Sequence, residues 1–242
     1  MSCSNFTSLT RMIRRETSPL PESAANPCIY LVGAHSTGKT TLARWIRDQY
    51  GMPMISEVAR GVLAEMEAQL DTMRSNVELV SRYQAQVFER QIEAEQAHQG
   101  SFVSDRAFCN LAYAAHHATI LSEVARDPRM ARYMQSVRQG IVFFVRPHRE
   151  LLASDGVRER MDWEEVLRID GMVKFMLEMF DVPYIPMASL SMQERIRLIE
   201  RVLDLAGLER KNIEGPYLPA AEDGDHQLTP GERAEWSESA AD

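Results

Sequence analysis

The chain has 242 residues, of which 45% are hydrophobic and 26% charged, and carries a net charge of -8. That balance belongs to a globular protein, and no apolar run approaches the roughly 18 residues of a membrane span. Residues 211–242 hold eight acids against Lys211 and Arg233, which leaves the body nearly neutral, without the basic stripe of a nucleic-acid-binding protein.

Cys3, Cys28 and Cys109 are far apart and lack C-x-x-C spacing, so neither a disulfide framework nor a zinc site is indicated and a reducing compartment is expected. Residues 1–27 read as a disordered arm. Arg11, Arg14 and Arg15 among Ser and Thr resemble a mitochondrial presequence, but Glu16 and Glu22 oppose that reading. A cytoplasmic location is the expectation, with a mitochondrial one as the alternative.

Cys28–Val32, bounded by Pro27 and Gly33, reads as a buried strand, and a helix should follow from Lys39 to about Gln49. A second strand is expected at 53–56, then a helix over 57–70 with Val58, Val62, Leu63 and Met66 on one side. Val77, Val80, Tyr83, Val87, Phe88 and Ile92 recur at helical intervals between Asn76 and Gln99, and Gly100 ends that helix. A short strand at 102–104 ends at Asp105, and 107–125 is helical again. Ile141–Val145 is the clearest buried strand. Asp162 with Glu165 and Ser191 with Glu194 are capping-box patterns opening helices to Phe180 and to Gly207, with a strand at 183–187 between them. Strands alternating with helices imply a doubly wound, mainly parallel α/β sheet over residues 28–210, followed by an acidic disordered tail at 211–242.

Gly33, Gly38, Lys39 and Thr40 satisfy G-x-x-x-x-G-K-[ST] between a strand and a helix, the context that pattern requires. The backbone must curl so that successive N–H groups face phosphate oxygens. Glycine permits the dihedrals, the helix N-terminus adds its dipole, and Lys39 supplies a cation. Gly33, Ala34, His35, Ser36, Thr37, Gly38, Lys39, Thr40 and Thr41 are therefore the expected nucleotide-binding residues, with the Thr40 hydroxyl offered to Mg²⁺. Asp105, at a strand end, is the second expected magnesium residue; it can also cap the helix that follows, and both roles can hold at once. The adjacent Arg106 is placed to reach phosphate or substrate. Glu57, past the second strand, can accept a proton from a hydroxyl acceptor and Arg60 can clamp that acceptor, with an exposed ion pair between the two as the alternative. Arg158 and Arg160 sit between the strongest strand and a capped helix, where a lid arginine would close over a triphosphate. The alternative there is a solvated charge run.

Taken in order, "GAHSTGKTTLAR", "ISEVAR", "FVSDRAFCNLAYA" and "DGVRER" resemble the P-loop AAA-type domain of the bacterial nicotinamide-riboside kinase module, a family that includes an animal GTP-binding protein of TRP-channel trafficking. The resemblance spans roughly Cys28 to Gly207. It implies nucleotide phosphates at Gly33–Thr41, Glu57 and Arg60 near the acceptor, Asp105 and Arg106 at the magnesium and phosphate centre, and Arg158 in the lid. Asn110 departs from an expected Asp, which removes a charge from the substrate side. Nothing here resembles the adenylyltransferase or helix-turn-helix modules of the longer bacterial proteins, so a complete NAD-salvage role is not implied.

The first expectation is a kinase that passes the γ-phosphoryl of ATP, or of GTP, to a hydroxyl of a small nucleoside-like acceptor. The second is a nucleotide-hydrolysing regulatory switch, with a protein or trafficking partner met through the tails. The chain lacks the N/T-K-x-D guanine-reading motif of Ras-like GTPases, and a motor ATPase would need ring elements that are not visible.

Overall fold

The structure, a computed structural model, describes residues 27–56, 58, 61–62, 77–98, 100–109, 111–112, 126–152 and 162–211. In chain order these form β1 (Ile29–Val32), α1 (Lys39–Tyr50), β2 (Met54–Ile55), α2 (Val77–Gln96), β3 (Val103–Asp105), α3 (Pro128–Gln139), β4 (Ile141–Val145), a 3₁₀ turn (Arg149–Leu152), α4 (Trp163–Met179), β5 (Ile185–Met187) and α5 (Met192–Leu205). The strands make one parallel sheet in the order β2-β3-β1-β4-β5. Parallel strands need crossover connections, and the side-chain period of two explains how both faces become apolar. Ile29, Leu31, Phe143 and Val145 point to one face, where α1 supplies Leu42, Trp45 and Ile46 and α5 supplies Ile196, Ile199 and Leu203. Tyr30, Val32, Val142 and Phe144 point to the other, covered by Phe88 of α2, Met130 and Val137 of α3, and Val173 and Met176 of α4. Each large apolar side chain so buried contributes about 1.5–3 kcal/mol, so the two interior layers dominate the fold's stability. The architecture is the doubly wound P-loop fold.

The expected strands and the helices at α1, α2, α4 and α5 are present: β4 has the expected bounds, α1 runs one residue further, β3 lies one residue later, and the others end one to three residues inside their expected bounds. One element went unread. Helix α3 begins with Asp127, whose carboxylate accepts from the Arg129 N–H at 2.8 Å, and Pro128 occupies its first turn. That Asp-Pro start and the spacing of Met130, Tyr133, Met134 and Val137 were legible signals. The expected helices at 57–70 and 107–125 lie largely outside the described residues. At the C-terminal boundary the chain is still docked at Lys211, whose N–H donates to Gln49 O at 2.8 Å.

The two capping patterns resolve differently. Asp162 accepts from the N–H of Glu164, not Glu165. Ser191 accepts from the Glu194 N–H as a box requires, but the return half is relayed: the Ser191 N–H donates to Ser189 Oγ, which itself bonds the Glu194 carboxylate. A polar network also lies inside. Glu95 Oε1 accepts from Gln91 Nε2 at 2.7 Å, Tyr133 Oη at 2.9 Å and Ser104 Oγ at 3.1 Å, which ties α2, α3 and β3 together. Burial pushes the Glu95 carboxyl above its ordinary range, and those three bonds only partly offset it.

Candidate nucleotide site

In this strand order the connections leaving β1 and β4 run in opposite directions, so the crevice in which open α/β sheets bind ligands lies between their C-terminal ends. Gly33 follows β1 at that crevice. Its φ is +148°, and a Cβ there would sit 2.3 Å from Val145 O of β4, so only glycine lets the loop leave the sheet at this point. Gly38 ends the loop in the left-handed region (φ 84°, ψ 13°) with no side-chain cap, and the first turn of α1 contains no acid. An uncapped helix N-terminus without an acid is the kind of place where an anion is stabilised.

Between the glycines the loop is held from inside. Thr37 is fully buried, and its Oγ1 donates to Ala34 O at 3.1 Å. Lys39 Nζ donates to Ala34 O and to Thr37 Oγ1, which keeps the ammonium over the loop. Ala34 is packed against Val166 and Ile169 of α4. His35 and Ser36 are half-buried at the crest, with Ser36 at φ 54°, and Thr40 and Thr41 are half-buried in the first turn of α1.

Thr40 Oγ1 donates to Asp105 Oδ2 at 2.7 Å, joining α1 to the end of β3. Among the described residues the carboxylate accepts from Thr40 and has no bond to the turn that follows. Its other oxygen, Oδ1, is buried and has no hydrogen-bond partner among the described residues. A hydroxyl beside a carboxylate with a spare lone pair is the hard-oxygen donor set that fits Mg²⁺. Beyond Asp105 the backbone turns through Arg106 (φ 107°) and Ala107 (φ 48°), conformations costly for residues with a Cβ and concentrated at functional sites. The Arg106 N–H donates to Leu31 O at 3.1 Å, which holds its half-buried side chain at the same sheet edge.

Three residues of this site carried no legible signal. Cys109 Sγ accepts from the Gly33 N–H at 3.2 Å, satisfying the first amide of the loop. Burial pushes its thiol up, opposed by Lys39 and by that N–H. Arg195 of α5 is 1% exposed, and its Nη1 donates to Thr37 O at 2.6 Å, so the back of the loop is anchored from the last helix. Burial pulls its guanidinium down, to about 10. Asp170 of α4, 2% exposed, pairs with Arg146 just past β4.

Gly33–Thr41, Asp105 and Arg106 are thus brought together, while Glu57, Arg60, Asn110, Arg158 and Arg160 lie outside the described residues. Two clefts, one lined by Asp204, Gly207 and Arg210 and the other by Val62, Gln86 and Glu93, include no residue of the loop. Among the described residues no helix is long and apolar enough to cross a membrane, and no cluster of three or more His, Cys, Asp or Glu forms a metal centre.

Fold and loop together define a P-loop nucleotide-binding protein. Residues 28–195 match the model of the AAA_28 family, described as an AAA domain, and the chain belongs to that family. Among solved structures, NadR protein in complex with NR is similar at a TM-score of 0.58 and 18% identity, covering 78% of this chain and 54% of that one. NadR with NAD and AMP-PNP gives 0.56 and 18%, covering 76% and 50%. Deoxyadenosine kinase from M. mycoides with bound dATP gives 0.49 and 14%, covering 74% and 99%. The chain therefore spans about half the length of the NadR proteins it matches. No curated protein matches the sequence.

Proposed function

We propose that the chain is a small-molecule kinase that binds MgATP at Gly33–Thr41 and passes the γ-phosphoryl to a hydroxyl of a nucleoside-like metabolite. The observation that carries this reading is the Thr40–Asp105 pair beside the Lys39-bearing loop, which gathers a phosphate cradle, a cation and hard-oxygen donors at one sheet edge. The fold shared with NadR supports it in kind. Magnesium, held by Thr40 and Asp105, neutralises phosphate charge when bound.

In the transfer, the acceptor oxygen bonds to the γ-phosphorus, the bond from that phosphorus to the β–γ bridging oxygen breaks, and the acceptor proton passes to Glu57. Lys39 and Arg106 hold the phosphate oxygens, Arg60 clamps the acceptor beside Asn110, and Arg158 closes over the transferring group. Catalysis is then mainly positioning and charge neutralisation.

The test incubates purified protein with ATP or GTP and a panel of nucleosides, and follows acceptor-dependent diphosphate release. Glu57→Gln should keep nucleotide binding and lose transfer by about 10²–10⁴, the usual worth of a positioned general base. Undiminished transfer by that variant refutes the role of Glu57. Hydrolysis that no acceptor accelerates refutes the kinase and leaves a nucleotide-hydrolysing regulatory switch.

A further inference from the structure

The buried face of α4 is built from Val166, Ile169, Val173, Met176 and Leu177, and one acid interrupts it: Asp170. A buried ion pair is a poor source of stability, because desolvation offsets the attraction and an apolar residue of similar volume does as well. An acid in that stripe calls for another reason. Asp170 Oδ2 lies 2.8 Å from Arg146 Nη2, and Oδ1 is buried with no hydrogen-bond partner among the described residues.

Arg146 stands where ligands enter. It follows β4 at the crevice facing Gly33, and its N–H donates to Met187 O at 3.0 Å, which fixes its backbone between β1 and β5. Its guanidinium lies 5.0 Å over the Phe144 ring and its side chain remains 38% exposed. A guanidinium has five N–H donors in a rigid fork, so one edge can rest on a carboxylate while the others meet an anion. Nε is buried and has no partner among the described residues, so the donors open to a ligand are those of the guanidinium's exposed part. Burial raises the Asp170 carboxyl, while Arg146 and then Lys39 pull it down, so the phosphate-loop lysine and Arg146 act on the same carboxylate.

We infer that Arg146 is a further cation of the nucleotide site, contacting the polyphosphate chain, and that Asp170 is the residue that positions it. This rests on the nucleotide-binding reading of the loop. Asp170 touches no ligand. It holds one edge of the guanidinium so that the remaining N–H groups face the crevice without a search through rotamers.

The test measures the affinity of the full chain, with magnesium, for AMP-PNP and for inorganic tripolyphosphate. Arg146→Met should weaken both by about ten- to hundredfold, the worth of charge-assisted hydrogen bonds, and Arg146→Lys should not restore them because an ammonium lacks the fork. Asp170→Asn should weaken both several-fold in the wild type and leave Arg146→Met unchanged, a non-additivity that general damage to α4 would not produce. Wild-type affinity in Arg146→Met overturns the inference and leaves the kinase reading standing. Loss for AMP-PNP but not for tripolyphosphate overturns the polyphosphate assignment, and a loss from Asp170→Asn that persists beside Arg146→Met overturns the positioning role. A wild-type protein that binds neither ligand overturns the nucleotide reading and this inference with it.

Discussion

Asp105→Asn separates a metal-site carboxylate from a structural one. The amide is isosteric, and its oxygen can still accept from Thr40 Oγ1, which lies 2.7 Å from Oδ2 in the wild type. The NH₂ then takes the place of Oδ1, a buried atom with no partner among the described residues. There it cannot serve a cation, so affinity for magnesium-bound nucleotide should fall at least about tenfold. A ligand at a hundred times its Kd stabilises the folded state by about 2.7 kcal/mol, which for a chain of this length raises Tm by about 5–11 °C. A tenfold weaker Kd removes about 1.4 kcal/mol of that, or about 3–6 °C. The ligand-free variant should melt close to wild type, because removing a buried negative charge offsets the poorer hydrogen bond. Thermal melts with and without MgATP, repeated in EDTA, measure both quantities. A variant retaining the full magnesium-dependent rise would refute the metal role of Asp105.

Lys39→Ala should keep the native circular dichroism spectrum and lose about ten- to hundredfold in triphosphate affinity, because its ammonium is held over the loop by Ala34 O and Thr37 Oγ1, where it supplies charge to a phosphate. Wild-type affinity by titration calorimetry would remove the phosphate-loop assignment. Gly33→Ala places a Cβ 2.3 Å from Val145 O at φ +148° and should cost more than about 3 kcal/mol, read by urea denaturation; a cost under about 1 kcal/mol contradicts the described packing. Glu95 has a folded pKa above its ordinary 4.5, so the folded state holds that proton more tightly than the unfolded one. Its contribution to stability is complete below that ordinary value and is lost as pH rises through the raised one. The stability of wild type relative to Glu95→Gln should therefore decline across that window, and parallel pH profiles would show that Glu95 does not titrate there.

What the sequence disclosed follows from how local each feature is. The phosphate loop was legible because Gly33, Gly38, Lys39 and Thr40 act within one turn of chain, where spacing alone sets geometry. Strands such as Ile141–Val145 were legible because a strand buried on both faces must be continuously apolar. Arg195 and Asp170 were not, because a charged residue in an amphipathic helix reads as solvent-facing until a partner from another element covers it. Cys109 was hidden for a related reason: its Gly33 partner is 76 positions away. Helix α3 is a different case, since its Asp127–Pro128 start is a local signal of the same kind as the phosphate loop.

The hydrogen bond from Arg195 to Thr37 O spans 158 positions, which sets an order of events during synthesis. The glycine-rich segment leaves the ribosome early, but the residue that braces it belongs to α5, far later in the chain. A nascent chain halted before α5 would carry the motif without the brace, as well as lacking one wall of the layer containing Leu42 and Trp45. A loop so left has one contact fewer holding its backbone in shape. Any ligand that binds only the braced loop therefore stabilises, by mass action, the chains that carry α5 over those that lack it.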